Sequence, residues 1–243
     1  MVTSLFPCHP WFALGLVLYT VIALLWNFRG ISRRERPNAL ATRDRVAQWL
    51  RAALSSFEPT LIRLGAQPLH LTLAQLGTSI IAGFAYANGC IFLGGWLLLA
   101  CGVLDLLDGN LARHTAQVSR RGAFLDSVID RYAEFFTFCG LGAFFSRSWM
   151  LWIVAFGFLG SVMVSYTRAR AEGLGIECRG GLMQRGERYI LLGVSSFLSV
   201  VFNHLFCRPT HVVLVIGLTL LTILSNLTAF SRIRVISAAL EER

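Results

Sequence analysis

Runs of about twenty apolar residues recur along this chain, and they restrict its fold more than any other feature. Six or seven can be marked, at roughly residues 11–28, 71–88, 91–112, 123–145, 149–168, 188–206 and 211–231. Only helices satisfy their own backbone hydrogen bonds within hydrocarbon, so these runs predict an all-α, polytopic membrane helix bundle. Composition agrees, at 55% hydrophobic and 14% charged residues with a mean hydropathy of +0.62.

The first run has no Lys or Arg in the ten residues before it, is followed by "RGISRRER", and lacks a small-residue cleavage site. It is expected to be a retained helix with its N-terminus outside. Alternating from there puts residues 29–70, 113–122, 169–187 and the C-terminus on the cytoplasmic side of the cell (inner) membrane. The arginines are concentrated in those regions, and only Arg147 and Arg208 fall in the opposite loops. The formal charge of +9 comes from Arg alone, beside membrane segments, so the expected partner is an anionic membrane surface rather than nucleic acid. Between residues 29 and 67, Val46, Trp49, Leu50, Ala53, Leu54, Phe57, Leu61 and Leu64 recur at helical spacing among arginines, as in an interfacial amphipathic arm. Pro59 should divide this arm, and Pro68 should open the next membrane helix.

Six cysteines without a CxxC pair read as packing thiols, and five histidines without a ligand pair argue against zinc. The five aspartates are different. Asp105 and Asp108 end one apolar helix at i, i+3, Asp126 and Asp130 begin the next at i, i+4, and a short polar turn joins the two. The two helices are therefore expected to be antiparallel neighbours, with four carboxylates converging at one membrane depth. A single charge buried in a bilayer costs about 2.5 to 3.5 kcal/mol on insertion scales, so a cation must sit among them. Arg113 and Arg131 can neutralise part of this charge. Oxygen-only ligands point to Mg²⁺ or Mn²⁺ for the rest. An ion-paired interface, or a cation or proton carrier, would also place aspartates in a membrane, but a carrier would spread them through its depth.

Read with its neighbours, the stretch Asp105, Asp108, Gly109, Ala112, Arg113, Gly122, Asp126 and Asp130 resembles the signature of the CDP-alcohol phosphatidyltransferase family at all eight positions. The resemblance implies a six-helix family core at residues 68–236. To it are added an N-terminal transmembrane helix at 1–28, the juxtamembrane arm at 29–67 and a tail at 237–243. It implies transfer of a phosphatidyl group from CDP-diacylglycerol to an alcohol, release of CMP, and a homodimer. Two Mg²⁺ or Mn²⁺ ions would be held by Asp105, Asp108, Asp126 and Asp130, with Asp130 also acting as general base. Gly109, Ala112, Arg113 and Gly122, together with Asp105 and Asp108, would then line the nucleotide site. Close helix packing around a snorkelling arginine is the other reading of the small residues and Arg113. Thr72 matches a nucleotide-enclosing position, although a helix-terminal cap is an equal alternative and Leu69 stands where Asn or Asp is common.

The alcohol has to be read elsewhere. Arg168, Arg170, Arg185, Arg188, Arg232 and Arg234 cluster at cytoplasmic helix ends, where they suit a phosphate, although the positive-inside rule also puts arginines there. "SYTRARAEG", a following "ERY" and a C-terminal helix arginine are similar to the subgroup making phosphatidylinositol phosphate. That likeness assigns Ser165, Arg168, Arg170, Arg188 and Arg232 to a phosphorylated polyol, with inositol 1-phosphate first and glycerol 3-phosphate as rival. Arg168 replaces a usual lysine, and Gly186 a frequent proline.

Overall fold

The computed structural model describes residues 58–63, 65–115, 119–176, 183–206 and 211–241. The expected helix at 1–28 and most of the arm at 29–67 lie outside these residues. Two units divide the chain, Met1–Thr60 and Leu61–Arg243. The elements are α1 (Glu58–Arg63), α2 (Pro68–Ala87), α3 (Ile91–His114), α4 (Arg120–Phe144), α5 (Met150–Gly173), α6 (Arg185–Leu205) and α7 (Val212–Glu241), with no strand among the described residues.

Local chemistry sets the helix ends. Pro68 opens α2, where its missing N–H costs nothing. Ser119 caps α4 by accepting from the Gly122 amide at 3.0 Å, which starts that helix a little earlier than its apolar run suggests. Gly175, at φ +72°, ends α5, and the Ile176 amide turns back to the Ala171 carbonyl at 2.9 Å. The last helix continues to Glu241, through most of the segment expected as a tail. No Gly or Pro interrupts it there, and Ile236 and Ala239 pack against Ala171 and Ile176.

The packing pairs correct one expectation. α2 packs along both α3 and α4, α6 along α3 and α7, and α5 along α7, with a lighter contact between α4 and α5. The two aspartate-bearing helices, α3 and α4, do not form a packed pair along their length. Small residues let α2 take that place. A Cβ added to Gly140 on α4 would lie 2.6 Å from the Gly83 Cα on α2, so the two backbones meet where neither helix carries a side chain. Tyr86, Leu98, Leu141, Leu214, Leu218 and Leu221 fill the shared core.

Four helices, α3, α5, α6 and α7, are long and apolar enough to cross a membrane by length and composition alone. The two long helices that are not, α2 and α4, bury Thr72, Gln75 and Ser79, and Asp130, Glu134 and Thr137, and the other four bury polar residues as well, among them Asp108, Ser161, Arg188 and Ser225. Large apolar side chains instead face outward on every long helix, among them Phe84, Leu93, Phe135, Phe156, Leu198 and Ile223. That inside-out distribution suits lipid as the surrounding solvent.

The crossing of α2 and α4 makes a testable distinction. Gly140→Ala drives a methyl group into backbone, with an expected cost of about 1 to 3 kcal/mol. Gly142→Ala meets only the Leu151 and Val154 side chains, at 3.6 and 3.9 Å, ordinary contacts. Thermal melts in detergent should show a clear loss for the first variant and little or none for the second.

Candidate active site

The site is assembled around one face of α2. Thr72, Gln75 and Ser79 follow at i, i+3 and i+7, so they form a polar stripe on an otherwise apolar helix. Thr72 donates to Asp108 Oδ2 on α3 at 2.9 Å, and Gln75 Nε2 donates to Asp130 Oδ1 on α4 at 3.1 Å. The helix between α3 and α4 thus holds a carboxylate from each. Thr72 also shares its hydroxyl proton with the Pro68 carbonyl at 3.1 Å, one turn back, and it lies inside the helix whose N-cap is Gln67, so it is not the terminal cap. At the start of α2 the Gln67 amide donates to His70 Nδ1 instead, at 3.3 Å.

Carboxylate oxygens of Asp105, Asp108 and Asp126 lie within 4.8 Å of one another. One oxygen of Asp126 is buried with no hydrogen-bond partner. A buried, unpartnered carboxylate oxygen is costly, and three anionic oxygens at this spacing repel one another. Both problems are relieved by a hard divalent cation, which takes oxygen ligands from several carboxylates at once. The donor set fits such an ion. Asp130, expected as a fourth ligand, stands outside this group, because Gln75 engages one of its oxygens and Arg185 the other.

Arg185, the first residue of α6, spans two carboxylates. Its Nη1 donates to Asp105 Oδ1 at 2.5 Å and its Nη2 to Asp130 Oδ2. Of the two arginines expected to neutralise part of this charge, Arg131 acts on Asp105 and Asp126 at longer range, and the direct contacts come from Arg185, on a helix far along the chain. Arg113 Nη2 turns to Asn110 Oδ1 at 2.6 Å, and Arg131 faces Glu134 at 3.8 Å.

Beneath Asp130 lies a second buried charge pair. Glu134, one turn further along α4, is ion-paired with Arg188 of α6 and accepts from Ser161 of α5 at 2.8 Å. Arg188 Nη1 also donates to the Met183 carbonyl at 3.2 Å. Glu134 and Arg188 are 2% and 3% exposed, so this pair joins three helices out of reach of water. Sequence reasoning passed over both Gln75 and Glu134. Their signal was a strongly polar residue inside an apolar run, with no motif to draw the eye.

The remaining expected residues divide into two sets. Gly109 has only the Arg113 guanidinium near its missing Cβ, at 3.5 Å, so helix packing does not require a glycine there. The Gly122 amide serves the Ser119 cap. Ala112 is half-buried on the same last turn of α3. Ser165 donates to the Ser161 carbonyl at 3.3 Å, and the buried Arg232 reaches the Val164 carbonyl beside it. Ser165 and Arg232 therefore meet on the same stretch of α5, and Arg188 is linked to it through Glu134 and Ser161. Arg168 and Arg170 do not join them. They are exposed, and Arg168 pairs with Glu172 at 2.9 Å because the helix continues past them. Gly186 sits in the first turn of α6, a position that tolerates the proline expected by resemblance.

Comparison with known proteins follows this geometry. The sequence model of the CDP-alcohol phosphatidyltransferase family matches residues 66–223, which include all eight signature positions. The chain belongs to that family. It is 33% identical to archaetidylinositol phosphate synthase of Pyrococcus horikoshii over 192 residues, covering 78% of this chain and 94% of that one. Crystal structures of phosphatidylinositol phosphate synthase from Mycobacterium tuberculosis are similar at 26% identity. The structure with CDP-DAG bound has a TM-score of 0.65 and covers 75% of this chain and 92% of that one. The structure in complex with manganese and citrate has a TM-score of 0.66, covering 75% and 88%. Arg232 lies beyond the range matched by the family model.

For this transferase, Glu134→Ala strands the Arg188 guanidinium in the bundle, and breaking a buried pair in this way costs about 3 to 5 kcal/mol. Glu172→Ala removes only the exposed partner of Arg168, worth about 0 to 1 kcal/mol. Unfolding measured in detergent should rank the two variants in that order, and equal stability would contradict the burial of the Glu134 pair.

Proposed function

We propose that this membrane transferase moves the phosphatidyl group of CDP-diacylglycerol to a hydroxyl of inositol 1-phosphate, releasing CMP. The observation that carries this reading is the oxygen trio of Asp105, Asp108 and Asp126 beside an Asp130 held by Gln75. The names of its relatives, inositol phosphate synthases acting on two lipid types, support the acceptor.

Asp105, Asp108 and Asp126 would hold Mg²⁺ or Mn²⁺, two ions by family resemblance, and Asp130 completes the acidic site. Such ions neutralise charge on a pyrophosphate and on its leaving group. The protein's own residues do the rest. Gln75 fixes the Asp130 carboxylate so that it can take the proton from the acceptor hydroxyl. That oxygen forms the new bond to the lipid-linked phosphorus, and the bond from this phosphorus to the bridging oxygen breaks, leaving with CMP. Thr72 holds Asp108 in place. The small residues Gly109 and Ala112 would let the nucleotide approach the end of α3, and Arg113, with the α4 start at Gly122, would border its phosphates. Arg188, Arg232 and Ser165 converge where a phosphate on the acceptor would be bound, and a guanidinium pair suits that group. Arg168 and Arg170 would add longer-range attraction at the mouth.

We also propose that the site faces the cytoplasm, as the arginine bias supports, beside an anionic membrane surface and with the N-terminus outside. A homodimer is the expected assembly. A cation or proton carrier is less well supported, since the carboxylates converge at one level.

Membranes supplied with labelled CDP-diacylglycerol and inositol 1-phosphate, glycerol 3-phosphate or serine should yield lipid product with inositol 1-phosphate. Product with glycerol 3-phosphate alone would move the enzyme to phosphatidylglycerophosphate synthesis, and ion uptake without any lipid donor would favour a carrier. Asp130→Asn should lower the rate by about a hundredfold or more, the usual worth of a positioned base.

A further inference from the structure

The guanidinium of Arg185 and a divalent cation draw on the same carboxylate. Asp105 is one of the three residues whose oxygens lie within 4.8 Å of one another, and it is also the partner of Arg185 Nη1 at 2.5 Å. The other terminal nitrogen is engaged with Asp130, which is fully buried. Arginine stays protonated under all ordinary conditions, and its planar fork can span two carboxylates as a lysine ammonium cannot. Arg185 Nε is buried without a partner, so the side chain is held in place by these two carboxylates.

We propose that Arg185 is an internal competitor of the metal, a resident cation that makes the acidic cluster tolerable before an ion arrives and lowers the affinity with which that ion is held. This rests on the reading of Asp105, Asp108 and Asp126 as ligands. Two effects add. An ion on Asp105 displaces the Nη1 contact, and the remaining guanidinium charge stands close enough to repel it, in surroundings that screen poorly. The contact with Asp130 is not contested, because Asp130 lies outside the trio. Arg185 therefore couples the two halves of the site: the ligand Asp105 and the proposed base Asp130 share one counter-charge. A metal bound too tightly to these carboxylates would hold the leaving nucleotide as well, so a built-in competitor favours turnover.

The test uses full-length protein purified in detergent without lipid substrate, with free Mn²⁺ followed by electron paramagnetic resonance during a titration. Arg185→Gln should bind Mn²⁺ about tenfold more tightly than the unaltered chain. Its metal-free form should melt at a lower temperature, with a larger rise on adding Mn²⁺, since binding to the folded state alone stabilises it. Unchanged or weaker Mn²⁺ affinity in this variant overturns the proposal. Arg185→Lys serves if the glutamine variant does not fold. Its single ammonium cannot bridge both carboxylates, and a severalfold tighter Mn²⁺ affinity is expected, whereas equality with the unaltered chain counts against the idea. Asp126→Asn, which Arg185 does not touch, separates the two levels. It should lose most Mn²⁺ binding, and retention of full affinity there would remove the ligand assignment instead.

Discussion

Negative charge gathered inside an apolar bundle is the constraint on which the rest of this structure depends. Four motif aspartates and Glu134 lie on α3 and α4, among helices whose outer faces suit lipid. The chain meets that constraint in three ways. A polar stripe on α2 donates hydrogen bonds to Asp108 and Asp130. Two arginines in the first turn of α6 supply counter-charge, Arg185 to the upper carboxylates and Arg188 to Glu134. Three carboxylates are left facing one another, with an oxygen of Asp126 unpartnered, and that remainder could hold a metal ion. The arrangement of α2 between α3 and α4, and of α6 against α3, follows from these demands as much as from apolar packing.

Much of this was legible in the chain. Apolar run length marked all six helices of the second unit to within a few residues at most ends, and the eight-position signature marked both carboxylate pairs. The part that was not legible is the part that depends on helix order in space. The short link between α3 and α4 suggested a packed hairpin, yet the Gly83–Gly140 crossing brings α2 between them, and glycine pairs on separate helices leave no local signal. Gln75 and Glu134 sit within apolar runs where a lone polar residue has many explanations. Arg185 was visible as one of the arginines expected at cytoplasmic helix ends but could not be told from its neighbours, because charge bias alone concentrates arginines at such ends.

The residues proposed for the acceptor show the same limit at finer scale. Ser165, Arg168, Arg170, Arg188 and Arg232 were equivalent in the sequence, since all sit near helix ends. The structure separates them by burial. Arg188 and Arg232 are held inside by Glu134 and by the Val164 carbonyl, whereas Arg168 and Arg170 ride the last exposed turns of α5. The two buried arginines are fixed by their partners, whereas the exposed ones offer mainly field.

Reduced apolarity in α4 has a consequence for how the protein is made. A segment carrying Asp126, Asp130, Arg131 and Glu134 is a poor candidate for partitioning alone from a translocation channel into lipid, as each such charge opposes entry by a few kcal/mol near the centre of a span. The neighbouring α3 and α5 are apolar enough to enter unaided, and α4 lies between them in the chain. Biogenesis would then run against chain order, with α4 settling after α5, and the carboxylates would wait for α6 to bring their arginines after most of the polypeptide has emerged.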